Sequence, residues 1–158
     1  MAPPAVTART IPTGFKMPDG YRSTFAPAAK PGIQLWEVSG KPPGLDGGES
    51  IDTTTMLNNV WRTRDARHLK TLTPLTFKAA FDPDVYNDLL NMINTPGAWT
   101  FHYPSSDALS FYANLEKAEP DDFEEGKMPL LTCTLTPTNW DPINFVEAAP
   151  VYTPAAGT

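Results

Sequence analysis

Residues 75–103, LTFKAAFDPDVYNDLLNMINTPGAWTFHY, change period twice and in doing so decide the fold. From Leu75 to Phe81 the apolar residues Leu75, Phe77, Ala79 and Phe81 alternate with Thr76, Lys78 and Ala80, the period of a half-buried strand. At Asp82 the period becomes helical. Asp82 can cap, Pro83 suits the first helical position, and Asp84 lies in the first turn, where the helix dipole favours an anion. Val85, Leu89 and Ile93, flanked by Tyr86, Leu90 and Met92, form a stripe of 3.6-residue period. The stripe predicts one helix over about 82–95, lying on a sheet and ended where Pro96 blocks continuation. Trp99, Phe101 and Tyr103 then alternate with Thr100 and His102, which restores the strand period and places Trp99 in the core.

Two downstream runs obey the same rule. Leu109, Phe111, Ala113 and Leu115 alternate with Ser110, Tyr112, Asn114 and Glu116, and Leu131, Cys133 and Leu135 alternate with Thr132, Thr134 and Thr136. Pro104 to Asp107 supplies turn residues for a hairpin between the second and third strands. The chain is therefore read as mainly β: an antiparallel sheet with an apolar face under a single packed helix and a polar second face. That second face carries Thr76, Lys78, Thr100, His102, Ser110, Asn114, Glu116, Thr132 and Thr134, because side chains alternate across a strand. It needs water or a polar neighbour, and the open edges of such a sheet need covering, charge or closure.

Upstream stands GIQLWEVSGKPPGLDGGESIDTTTMLNNVWRTRDAR, residues 32–67. Ile33, Leu35 and Val38 alternate roughly with polar neighbours, and PPGLDGG then supplies residues that cannot continue a ladder. The 40–60 insert exceeds the roughly 12 to 15 residues of ordinary unstructured connections. Thr53, Thr54 and Thr55 beside Met56 and Leu57 suggest an extended arm that orders on contact with a neighbour.

Composition excludes several function classes. At 158 residues the chain is one domain's worth, with 18 prolines gathered chiefly in both terminal segments and the 42–43 pair. Cys133 is the only cysteine, so one chain can form neither an internal disulfide nor a thiolate metal cluster. MAPPAVTARTIP lacks the apolar core of a signal peptide, and no apolar run approaches a membrane span, so synthesis and retention in the cytoplasm of the expressing cell, away from membranes, are expected. Residues 1–81 hold ten Lys and Arg against six Asp and Glu (+4), whereas residues 82–158 hold two against twelve (−10). This polarity argues against a nucleic-acid binder and suits head-to-tail self-association.

No constellation demands chemistry. His102, Ser105, Ser106 and Asp107 are too close in sequence to bring nucleophile, base and orienter to one point. The acidic run Glu116, Glu119, Asp121, Asp122, Glu124 and Glu125 has neither metal-ligand nor glycosidase spacing and reads as a solvated hairpin loop or a contact for a neighbouring subunit. GLDGG lacks the strand–GxGxxG–helix context of a nucleotide site. No catalytic residue, cofactor or metal is expected.

Taken in order, the strand at 33–38, PPG–DGG, IDTTTM and WRT resemble the tail tube, or major tail, proteins of long, non-contractile-tailed bacteriophages. The resemblance covers residues 32–142, leaving 1–31 as an N-terminal arm and 143–158 as a C-terminal tail. It implies a barrel-type tail tube fold whose subunits close six-membered rings by strand pairing, the rings stacking into a channel for viral DNA. Pro43, Gly44, Asp46, Asp52, Thr53, Thr54, Thr55, Met56 and Trp61 would then form a ring-stacking arm. Arg62, Arg64 and Arg67 would meet Asp121, Asp122, Glu124 and Glu125 of another subunit, and the polar sheet face would line the channel. The implied partners are further copies of the chain and the tail-tip, tape-measure and tail-terminator proteins. Double-stranded DNA would pass without specific binding, and the protein would move from host cytoplasm to virion tail. The competing reading is a monomeric β-sandwich binding module on a virion, an adhesin or carbohydrate-binding domain using its aromatic residues.

Overall fold

The computed structural model describes residues 23–30, 33 and 35–156. In chain order the elements are β1 (Thr24–Pro27), β2 (Glu37–Gly40), β3 (Leu45–Asp46), β4 (Ile51–Asp52), β5 (Arg64–Asp65), β6 (Thr71–Leu72) and β7 (Leu75–Ala80). The helix α1 (Pro83–Met92) follows, then β8 (Pro96–His102), β9 (Ala108–Pro120), β10 (Leu130–Pro137), β11 (Trp140–Asp141), β12 (Val146–Glu147) and β13 (Val151–Thr153). The main sheet is antiparallel, in the order β1-β8-β9-β10-β7-β2, with β13 added to β9 at Ala108–Ser110, short of the stretch that β10 pairs.

The alternation in the sequence becomes the two faces of this sheet. Leu75, Phe77, Trp99, Phe101, Phe111, Leu115, Leu131, Cys133 and Leu135 form one buried cluster with Leu89 of α1. Asp82 accepts the Asp84 N–H at 3.1 Å and starts the helix, while Val85, Tyr86, Met92 and Ile93 pack against the cluster. Leu90, expected beside the stripe, is exposed. The helix stops at Met92, short of 95, because Ile93 turns extended and Asn94 takes a left-handed φ of 58°. The Asn94 N–H then bonds the Leu115 carbonyl, pinning the exit to β9. Pro96, expected to end the helix, lies beyond its end and opens β8 opposite Asn114.

The sheet curls until its edges face each other without becoming a closed barrel. Phe25 of β1 stacks on Phe77 of β7 with ring centroids 4.6 Å apart, and the Phe25 N–H donates to the Glu37 carboxylate of β2 at 2.7 Å. Gly40 permits this approach. A Cβ there would lie 2.5 Å from the Phe25 ring.

Three features depart from simple alternation. Val38, expected on the buried side with Leu35, is exposed because it alternates with Glu37, which pairs with buried Ala79, and the register shift before Ser39 brings Gly40 to the core side in its place. In β9, Thr134 pairs with Lys117 while Leu135 pairs with Leu115, a bulge at 116–117 that leaves both Leu115 and Ala118 buried. The termini also contribute structure: β1 lies within the expected N-terminal arm, whose residues 1–22 fall outside the described residues, and β13 lies within the expected tail. Strands of three or four residues are too short to show a period. Asp107 holds the last one, accepting the Ala155 N–H at 2.6 Å.

Candidate assembly surfaces

Between Leu45 and Leu72 the chain forms a long two-stranded arm. Leu45 and Asp46 pair with Leu72 and Thr71, and Ile51 and Asp52 pair with Asp65 and Arg64. Leu72 anchors the arm in the core, and beyond it every residue from Gly44 to Thr71 is exposed except half-buried Asn58, so the tip is not buried against its own subunit. Its base is fixed by Thr73, whose N–H bonds the Gly44 carbonyl at 2.8 Å and whose hydroxyl accepts the Gly44 N–H at 2.9 Å. The arm is thus longer than the expected 40–60 insert, and its two sides pair with each other.

Its hydroxyl run has a local purpose. The Thr53 N–H bonds the Thr63 carbonyl at 3.0 Å, and the Thr54 hydroxyl accepts the Thr63 N–H at 3.0 Å. Asn58 Oδ1 accepts the Thr55 N–H at 2.8 Å while its Nδ2 donates to the Trp61 carbonyl at 3.1 Å. Asp46 and Asp52 likewise accept the N–H two residues ahead, from Gly48 and Thr54. In Asp52 these bonds, the Thr54 hydroxyl's first, hold the carboxyl below its usual range. Pro43, expected in the arm's contact surface, is buried at its base. What the tip offers outward is apolar: Met56 and Leu57 are almost wholly exposed, Val60 79% and Trp61 81%.

The arm and the acidic surfaces occupy opposite ends of the sheet. The arm joins β7 at Leu75, whereas α1 leaves it beyond Ala80. Leu130 pairs with Ala80 and Pro120 with Leu131, which places the β9–β10 connection at the α1 end. Arg62, Arg64 and Arg67 lie on the returning strand of the arm, with Arg67 donating to the Glu49 carbonyl at 2.9 Å. At the other end stand Asp82 and Asp84 with Asp122, Glu124 and Glu125, linked by the edge-on packing of Phe81 against exposed Phe123.

The acidic loop differs from its expected form. Glu116 and Glu119 belong to β9 itself. Asp121, expected to face another subunit's arginines, is engaged within its own: Lys78 donates to it at 2.7 Å and Thr132 at 2.6 Å, and these bonds hold its carboxyl below the usual range. Glu124 pairs with Lys127. Asp122 and Glu125 have no ion pair among the described residues.

On the polar face, Thr76, His102 and Glu116 are exposed, and Lys78, Thr100, Ser110, Asn114, Thr132 and Thr134 are half-buried. Thr100 and Ser110 share a hydroxyl bond of 3.1 Å across the strands. The bulge adds Lys117 to this face and Glu119 beside it, joined at 3.2 Å; strict alternation misses Lys117, although the apolar pair Leu115 and Ala118, three apart, carries the signal. Ser105 donates to Asp107 at 2.7 Å and makes no bond to His102, so no nucleophile–base pair is assembled there. Burial pushes the Cys133 thiol up to about 12, which removes it as a nucleophile. Among the described residues no three metal-ligating side chains come together, and no helix is long and apolar enough to cross a membrane.

No family model matches the sequence, and no curated protein matches it. Solved structures do. One chain of the six-fold symmetrised baseplate of the anti-feeding prophage matches 89% of this chain and 98% of its own length, at 11% identity and a TM-score of 0.56. At that identity the likeness is one of fold: a mainly β chain with antiparallel sheets and a single described helix.

Proposed function

We propose that this chain is a structural virion protein, and within that class the subunit of a phage tail tube, forming six-membered rings that stack around a channel for DNA delivery. The observation that carries the reading is the polarity of the subunit: at one end of β7 projects an arm whose returning strand carries Arg62, Arg64 and Arg67, and at the other stands an acidic surface. A monomer has no use for such an arm, since its apolar tip is left in water. Head-to-tail stacking gives every arm a complementary end to meet. The fold shared with a chain of a six-fold symmetrised baseplate supports a ring. In it the polar face, Thr76 through Thr134, would be wetted by the bore, and the facing edges of β1 and β2 would be available to neighbours within a ring.

The revised charge contact pairs Arg64 and Arg67 with Asp122 and Glu125, because Asp121 and Glu124 have partners of their own. Exposed pairs give only about 0.2 to 1 kcal/mol each but recur around every ring. Reversing Arg64 and Arg67 to Glu should abolish sedimenting polymer, and adding Asp122→Lys with Glu125→Lys should restore it. Unchanged polymer after the arginine reversals would reject the charge contact.

A further inference from the structure

The end of the subunit farthest from the arm carries a cleft of about 510 Å³ between the start of α1 and the segment before β2, lined by Ile33, Trp36 and Val85 together with Asp82, Asp84 and Asp88. Lys30 neutralises Asp88 at 2.6 Å, which leaves Asp82 and Asp84 as its unpaired anions among the described residues. Trp36 is more than half exposed there. The cleft therefore sets three apolar side chains beside an acidic rim, with no ion-pair partner for Asp82 or Asp84 among the described residues.

Building on the tail tube reading, we infer that this cleft receives the arm tip of a second copy of the chain, with Trp61 and Val60 against Trp36 and Val85, and with Arg62 beside Asp82 and Asp84. Three observations on the two surfaces agree. The tip is apolar with a cation immediately following, and the cleft is apolar with anions beside it. The two lie at opposite ends of β7, so one copy cannot fill its own cleft while a head-to-tail neighbour can. The tip is also held in shape by Asn58 and the threonines, so little ordering opposes docking. Exposed Phe123, on the same end, is the alternative receiver.

Cysteine pairing discriminates between them. Full-length chains carrying Val60→Cys with Val85→Cys, or Val60→Cys with Phe123→Cys, are polymerised, oxidised and run without reductant, Cys133 being buried and silent. The expected result is a covalent ladder from the Val85 pair alone, with Trp61→Ala raising the protein concentration needed for assembly by about tenfold or more, the loss expected of an interface anchor. Circular dichroism should show that Trp61→Ala, altered at an exposed site, keeps its fold. A ladder from the Phe123 pair alone, or normal polymer from Trp61→Ala, overturns the cleft assignment and leaves stacking intact. A wild-type chain that remains monomeric overturns the stacking reading and the docking together.

Discussion

The Glu37 carboxylate accepts the backbone N–H of Phe25 at 2.7 Å, the link between the two edges of the curled sheet. Burial raises the Glu37 carboxyl above its ordinary value, with the Phe25 N–H opposing in part. A raised carboxylate binds its proton more tightly folded than unfolded, so its contribution to stability is present in full below the ordinary glutamate range and is lost as pH rises through the raised value. Glu37→Gln keeps an oxygen for Phe25 and removes the desolvated charge. The variant should be at least as stable as wild type at pH 7, its advantage shrinking towards pH 4, as read by denaturant melts. A variant clearly weaker at pH 7 would show that the charge itself holds the edges together.

Gly40 makes that approach possible. Its missing Cβ would sit 2.5 Å from Phe25, whose ring is held between Phe77 and Phe101 and cannot step aside. Gly40→Ala should cost about 1 to 3 kcal/mol by overpacking. Thermal melting measures it, and the loss should largely vanish in a Phe25→Leu background.

The two faces of the sheet predict opposite responses. Leu115→Ala and Leu131→Ala remove fully buried side chains and should each cost roughly 2 to 5 kcal/mol. Thr76→Cys and Glu116→Cys, on exposed positions of the other face, should cost little. In assembled tubes these cysteines should react with a small maleimide and resist one too bulky to enter the bore. Equal labelling by both reagents would place this face on the outside of the tube.

Asn58 organises the arm tip from both sides of its turn. Asn58→Ala should speed hydrogen exchange at Thr55 and Thr63 while leaving global stability within about 0.5 kcal/mol, because the residues around the tip are exposed and far from the buried anchor Leu72. Raised exchange in the core strands would tie the arm to the fold more closely than its exposure allows.

Sheet and helix were legible because alternation and the 3.6 period follow directly from burial on one face. Asp82 and Pro83 announced the start of α1, and the parity of Phe77, Trp99, Phe111 and Leu135 announced the core. The internal bonding of the arm was not legible. Thr53 to Thr55 look like an adaptable surface in one dimension, and only pairing across the hairpin shows them spent on Thr63 and Asn58. The partners of Asp121 were hidden for the same reason: Lys78 lies 43 residues away and reaches it through strand register. Pro43 reads as a loop residue and proves buried at the arm's base. Bulges at Val38 and Lys117 shift parity by one residue, and a period cannot register a single extra residue.

Electron cryomicroscopy of the purified full-length chain, concentrated at low salt, tests head-to-tail assembly most directly. The account predicts hollow six-fold rings stacked with one polarity, the arm of each subunit, Leu45 to Leu72, reaching the α1 end of a subunit in the next ring, and Thr76 to Thr134 facing the bore. A population that stays monomeric at every concentration, or stacks in which arms meet arms, would contradict it.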